Sequence, residues 1–67
     1  MTLTMRVARR LRQRREALGM SQARLARGAG ISRGYLIRLE AAAQDPTLTV
    51  LSKLAKALKV TVGELVR

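Results

Sequence analysis

The chain has 67 residues, the size of one small domain, and carries 14 Lys+Arg against 4 Asp+Glu, for a net charge of +10. It contains no Cys and no His, which excludes disulfides, thiol nucleophiles, Cys/His zinc sites and the side chain best suited to proton transfer near neutral pH. So large a positive excess calls for a polyanionic partner, nucleic acid or an acidic membrane surface, while 48% hydrophobic residues rule out a disordered basic tail.

Tyr35 is the only aromatic residue and Pro46 the only proline; Ala, Leu, Arg, Gln and Lys, all good helix formers, dominate. An all-α chain of five helices is predicted. The first runs from about Thr4 to Leu18, with Val7, Leu11 and Leu18 on one stripe, and Gly19 ends it. Ser21 caps the second, which turns Leu25 and Ala26 inward and is broken within about two turns by Gly28 and Gly30. Ser32 caps the third, which runs to about Ala41 with Leu36 and Leu39 on one face. Asp45-Pro46 is a turn, because the residue before proline avoids the helical region.

Thr47 caps the fourth helix, where Leu48, Leu51, Leu54, Ala55 and Leu58 recur at i, i+3, i+4 spacing. Thr61-Val62-Gly63-Glu64 has the capping-box form and opens a short last helix. There, Val62, Leu65 and Val66 serve either as the end of the core or as a dimer seam. No repeat, linker or low-complexity stretch interrupts the chain, so residues 1–67 are expected to form one domain.

The charge is uneven. Residues 1–40 hold ten arginines against Glu16 and Glu40, so the polyanion is expected at the N-terminal two-thirds. Within that part, residues 22–39 read as two short helices joined by a tight turn at Ala29-Gly30-Ile31, where Gly30 is free to take positive φ. Ala26 is small, as a steep crossing of the second helix over it requires. Leu25, Ile31, Leu36 and Leu39 are the apolar positions that lock the pair to the rest. Two helices crossing at about 90–120° through so short a turn form a helix-turn-helix, whose second helix projects far enough to enter a DNA major groove.

From about Leu11 to Leu65 the chain resembles the Cro/repressor-type helix-turn-helix family of bacterial and phage transcription regulators. The resemblance is carried by Leu11, Arg15, Gly19-Met20-Ser21-Gln22, Leu25-Ala26, Gly30 through Leu36, Leu39-Glu40, Pro46, Leu51 and Leu54 through Leu58. It implies a compact five-helix bundle of the phage-repressor DNA-binding type, with helix 3 as the recognition helix, acting on double-stranded DNA as a homodimer. It also implies roles for particular residues. Arg33, Gly34, Tyr35 and Arg38 fall where base readout clusters, and arginine reads guanine O6/N7 through two hydrogen bonds. Gln22, Ser32 and Arg24 fall at phosphate-contacting positions, Gln22 together with the backbone N–H groups that open helix 2. Arg15 and Glu40 match an ion pair tying helix 1 to the end of helix 3.

Three departures from the family pattern carry expectations of their own. The usual glycine two residues after the glutamate is Ala42 here, which predicts that helix 3 runs on by a turn. Gly34 offers no side chain at a readout position, so discrimination narrows. Ile37 is apolar where a small polar residue is usual, placing it against a thymine methyl or a partner surface.

Plainer roles stand beside these. Arg33 and Arg38 as a solvated basic face, and Tyr35 as packing over the turn, are the alternatives to groove contact. Arg6, Arg9, Arg10, Arg12 and Arg14 read as a solvent-facing charge run, and Ser21, Ser32 and Thr47 as caps first. For the whole chain, the leading reading is a sequence-specific DNA-binding regulator, a repressor. The second is an antitoxin or restriction–modification controller that adds a protein partner, against which stands the lack of an extra segment for a toxin. The third is an interfacial helix over residues 4–18, against which the missing Trp and Phe count. Four scattered carboxylates without His or Cys leave no acid/base pair, so neither an enzyme nor a cofactor is expected. Met1 to Met5 leads straight into arginines with no apolar region behind it, unlike a secretory signal, and a cytoplasmic location is expected.

Overall fold

The computed structural model describes all 67 residues, as five α-helices and no strand. They are α1 (Leu3–Ala17), α2 (Gln22–Ala29), α3 (Arg33–Glu40), α4 (Leu48–Leu58) and α5 (Val62–Val66).

Each helix begins the same way. Thr2, Ser21, Ser32, Thr47 and Thr61 stand in extended conformation, and each side-chain oxygen accepts from the backbone N–H three residues on, at 3.0–3.1 Å. A cap of this kind satisfies one of the orphan donors of the first turn and stabilises the helix by about 1 kcal/mol. At α5 the arrangement is reciprocal, because the Glu64 carboxylate accepts from the Thr61 backbone N–H at 3.2 Å.

The helices α1 to α4 also stop the same way. Gly19, Gly30, Ala42 and Lys59 take φ of 67°, 69°, 58° and 60°. The N–H of the next residue reaches back five positions: Met20 to Arg15, Ile31 to Ala26, Ala43 to Arg38 and Val60 to Ala55, at 2.9–3.0 Å. These are Schellman turns, which need a residue in the left-handed region and favour glycine there. Two of the four use an L-residue instead. Ala42 therefore does what the family's glycine would do, and α3 ends at Glu40 rather than running on. Met20, Ile31 and Val60, just past three of these turns, fold back onto the core.

The core is leucine-built. Leu11, Leu25, Leu36, Leu39, Leu54, Leu58 and Leu65 are almost fully buried, with Val7, Leu51 and the small Ala26, Ala29 and Ala55 between them. Packed against it, α2 meets α3 and α4, and α1 meets α3 and α5. Leu65 belongs to this core, with Val62 and Val66 packed at its edge. Two leucines depart from their predicted stripes. Leu18 lies beyond the last turn of α1 and is 38% exposed, and Leu48, in the first turn of α4, is 71% exposed. Helical spacing continues through both positions, but no other element covers them.

Several arginines of α1 are not a free charge run. Arg12 donates to the backbone O of Glu40 at 3.2 Å, Arg14 to that of Leu58 at 3.1 Å, and Arg6 to that of Val66 at 3.5 Å. Each acceptor is the last residue of α3, α4 or α5, where carbonyls lack an intrahelical partner and the helix dipole favours a cation. The first helix thus caps three others. No helix is long and apolar enough to cross a membrane, and the Val7–Leu11 stripe of α1 is spent on the core.

Candidate nucleic-acid interface

On α3, Leu36, Leu39 and Glu40 face inward, which leaves Arg33, Gly34, Ile37 and Arg38 exposed as one stripe along the outer side. Nothing else in the chain covers it. Residues 22–39 contain four arginines and no acidic residue, and Arg24, Arg27, Arg33 and Arg38 are all exposed. The guanidinium groups of Arg24, Arg27 and Arg33 make no hydrogen bond or ion pair within the protein. This part of the surface is an uncompensated positive field, the kind that attracts phosphate.

The rotation of α3 is set by a bidentate ion pair at its last residue. Arg15 Nε lies 2.7 Å from Glu40 Oε2 and its Nη2 lies 3.0 Å from Oε1. Arg15 Nη1 donates to the Met20 backbone O at 2.9 Å, and Gln22 Nε2 donates to Glu40 Oε1 at 3.0 Å. Glu40 is 3% exposed, and its hydrogen bonds hold the Arg15 proton more tightly, raising that pKa above its ordinary value. Four elements meet here: α1, the α1–α2 turn, the start of α2 and the end of α3.

The expected site residues are accordingly divided. Arg33 opens α3 with a free, exposed guanidinium. Tyr35 is half-buried against the core, its ring 5.9 Å from the Arg38 guanidinium carbon. The Ser32 hydroxyl accepts the Tyr35 N–H at 3.1 Å, so it is a cap. The side chain of Gln22 is committed to Glu40, while the Gln22 and Ala23 N–H groups open α2 with no acceptor inside the helix. Sequence reasoning missed Gln44, whose Oε1 accepts from Arg38 Nε at 2.9 Å across the α3–α4 loop. Nothing in local spacing signals a contact made over a loop.

A helix-turn-helix family model (HTH_3) matches residues 11–65. No curated protein matches the sequence. Among solved structures, the chain is 35% identical to the restriction-modification controller protein C.AhdI from Aeromonas hydrophila, over 92% of this chain and 94% of that one, with a TM-score of 0.90. It is 32% identical to the hypothetical transcription factor NHTF from Neisseria, over 98% of this chain and 76% of that one, with a TM-score of 0.95. With the clp gene regulator ClgR from Corynebacterium glutamicum it shares 26% identity over 97% of this chain and 69% of that one, at a TM-score of 0.92. The open stripe of α3, the pair that orients it and a family match over residues 11–65 lead to one assignment: the chain belongs to the helix-turn-helix family of DNA-binding transcriptional regulators.

Proposed function

We propose that the protein is a cytoplasmic repressor that reads a specific double-stranded DNA sequence with α3 in the major groove. The observation that carries this is the uncovered α3 stripe with Arg33 and Arg38 on it, together with exposed Arg24 and Arg27 and no acidic residue between positions 22 and 39. In this reading Arg33 and Arg38 contact guanines, Gly34 lets the helix approach closely, and Tyr35 supports Arg38 from the core side. Arg24, Ser32 and the first N–H groups of α2 hold phosphates, releasing counterions as they do. One such module reads only a few base pairs, so two copies act as a homodimer on half-sites about one helical turn apart.

Three of the four carboxylates already serve the fold. Glu40 is held in an ion pair, Glu64 in a helix cap and Asp45 by the Thr4 hydroxyl, which leaves Glu16 alone and exposed.

Selection of bound sequences from a random DNA pool tests the proposal, followed by titration at two salt concentrations. A palindromic preferred site is expected, and Arg33→Ala is expected to erase the preference at one base pair per half-site while binding to bulk DNA persists. Binding without any sequence preference overturns the reading.

Control of restriction–modification genes is a second reading, favoured by the 35% identity to C.AhdI over 94% of its length. It is distinguished by where the selected site falls. A site upstream of a nuclease or methyltransferase gene supports it, and a site elsewhere in the genome does not.

A further inference from the structure

Arg38 differs from Arg33 in being held. Its Nε donates to Gln44 Oε1 at 2.9 Å, and its guanidinium carbon lies 5.9 Å from the centroid of the Tyr35 ring. A Cβ added at Gly34 would sit at ordinary contact distance, 3.6 Å, from Arg38 Nη1, so the guanidinium lies alongside the helix next to Gly34. Nη1 and Nη2 have no acceptor within the protein.

Gln44 is itself anchored on both sides. Before it, Ala42 closes the Schellman turn of α3, with the Ala42 N–H donating to Leu39 O and the Ala43 N–H to Arg38 O. After it, the Asp45 carboxylate accepts from the Thr4 hydroxyl of α1, and Pro46 fixes the next backbone angle. The Gln44 carboxamide is therefore presented to Arg38, in an exposed hydrogen bond, by a loop tied to two helices.

We infer that Gln44 is a specificity-determining positioning residue. By occupying Arg38 Nε it leaves the two terminal nitrogens as an end-on fork for guanine O6 and N7, already ordered before DNA arrives. A free arginine loses its rotamer freedom on binding and can pair through Nε or through its end; an arginine held at Nε has already lost that freedom and pairs only through its end. Base preference at one position thereby depends on a side chain outside the helix-turn-helix. The inference rests on the DNA-reading function proposed above.

The test compares wild type, Arg38→Ala, Gln44→Met and Gln44→Glu on the selected site and on the site altered one base pair at a time. Arg38→Ala is expected to remove a preference of about tenfold or more for guanine at one base pair. Gln44→Met is expected to reduce that same preference by about three- to tenfold, leaving the other positions, binding to bulk DNA and the melting temperature as in wild type. Gln44→Glu keeps the acceptor, so it retains the preference while binding all sequences more weakly. In the free protein, the Arg38 Nε–H signal in NMR exchanges slowly in wild type and fast in Gln44→Met.

A wild-type protein with no sequence preference overturns the functional reading itself. A preference that Arg38→Ala erases and Gln44→Met leaves intact overturns only the role of Gln44. Equal Arg38 Nε–H exchange in wild type and Gln44→Met does the same without reference to DNA.

Discussion

Arg15 grips both carboxylate oxygens of Glu40, at 2.7 and 3.0 Å, and so ties the middle of α1 to the last residue of α3. Both side chains lie largely out of water, at 13% and 3% exposure. The pair fixes which side of α3 faces outward, and it does so from beneath the helix, away from the exposed stripe.

Removing one member strands the other. Glu40→Ala is expected to cost about 3–5 kcal/mol, because the Arg15 guanidinium then stays buried without its counterion. A domain of this size has a total stability of about 3–10 kcal/mol, so the variant is expected to be largely unfolded at 37 °C. Replacing both together, as Arg15→Met with Glu40→Leu, is expected to recover most of the loss. Urea unfolding followed by circular dichroism checks both; a single variant as stable as wild type contradicts the role assigned to the pair.

Ala42 and Lys59 occupy left-handed positions with φ of 58° and 60°. An L-residue there costs about 1–2 kcal/mol, and glycine returns about 0.5–1 kcal/mol of that through its greater freedom when unfolded. Ala42→Gly is therefore expected to stabilise by about 0.5–1 kcal/mol, raising Tm by about 4 °C. Gly30→Ala, at φ of 69°, is expected to shift Tm downward by a similar amount. Scanning calorimetry on the two variants checks the sign of each.

Arg24 is exposed near the start of α2 and its guanidinium has no partner in the protein. As a phosphate contact it carries no sequence information. Arg24→Ala is expected to weaken binding to all DNA alike and to lower the slope of log K against log salt by about 1. An altered base preference in this variant assigns Arg24 to readout instead.

Glu64 gives acid stability a direction. Its carboxyl is held below the ordinary value of 4.5, first by the Thr61 backbone N–H, then by the Thr61 hydroxyl, with attraction from Arg67 and Arg14. The unfolded chain thus takes up this proton more readily than the folded one. The stabilisation is complete above the unfolded value and disappears as pH falls through the lower folded value. In a urea series from pH 7 to pH 3, Glu64→Gln is expected to lose less stability than wild type. Parallel curves for the two proteins exclude the contribution.

How far a feature was legible depended on how far apart its partners lie along the chain. Ser21, Ser32, Thr47 and Thr61 were readable as caps because a cap joins residues three apart. Gly19 and Gly30 were readable as stops because φ is a property of one residue. Ala42 was not, since an alanine carries no mark of the left-handed region it is made to adopt. Helical spacing placed Leu51, Leu54 and Leu58 inside correctly, but it also placed Leu18 and Leu48 there, where no neighbour arrives.

Composition and local pattern by themselves determined five helices, four of them with their caps, a basic N-terminal two-thirds and the unit from Gln22 to Leu39. The family resemblance already paired Arg15 with Glu40, but only the tertiary structure decided what the other arginines do. Arg12, Arg14 and Arg15 are near neighbours of one type, yet they end on the Glu40 backbone, the Leu58 backbone and the Glu40 carboxylate. Arg33 stays free and Arg38 is held by Gln44. The reason is physical: a charge is a property of composition, but its partner lies wherever another helix happens to end, and that is settled by how the leucine core brings the helices together.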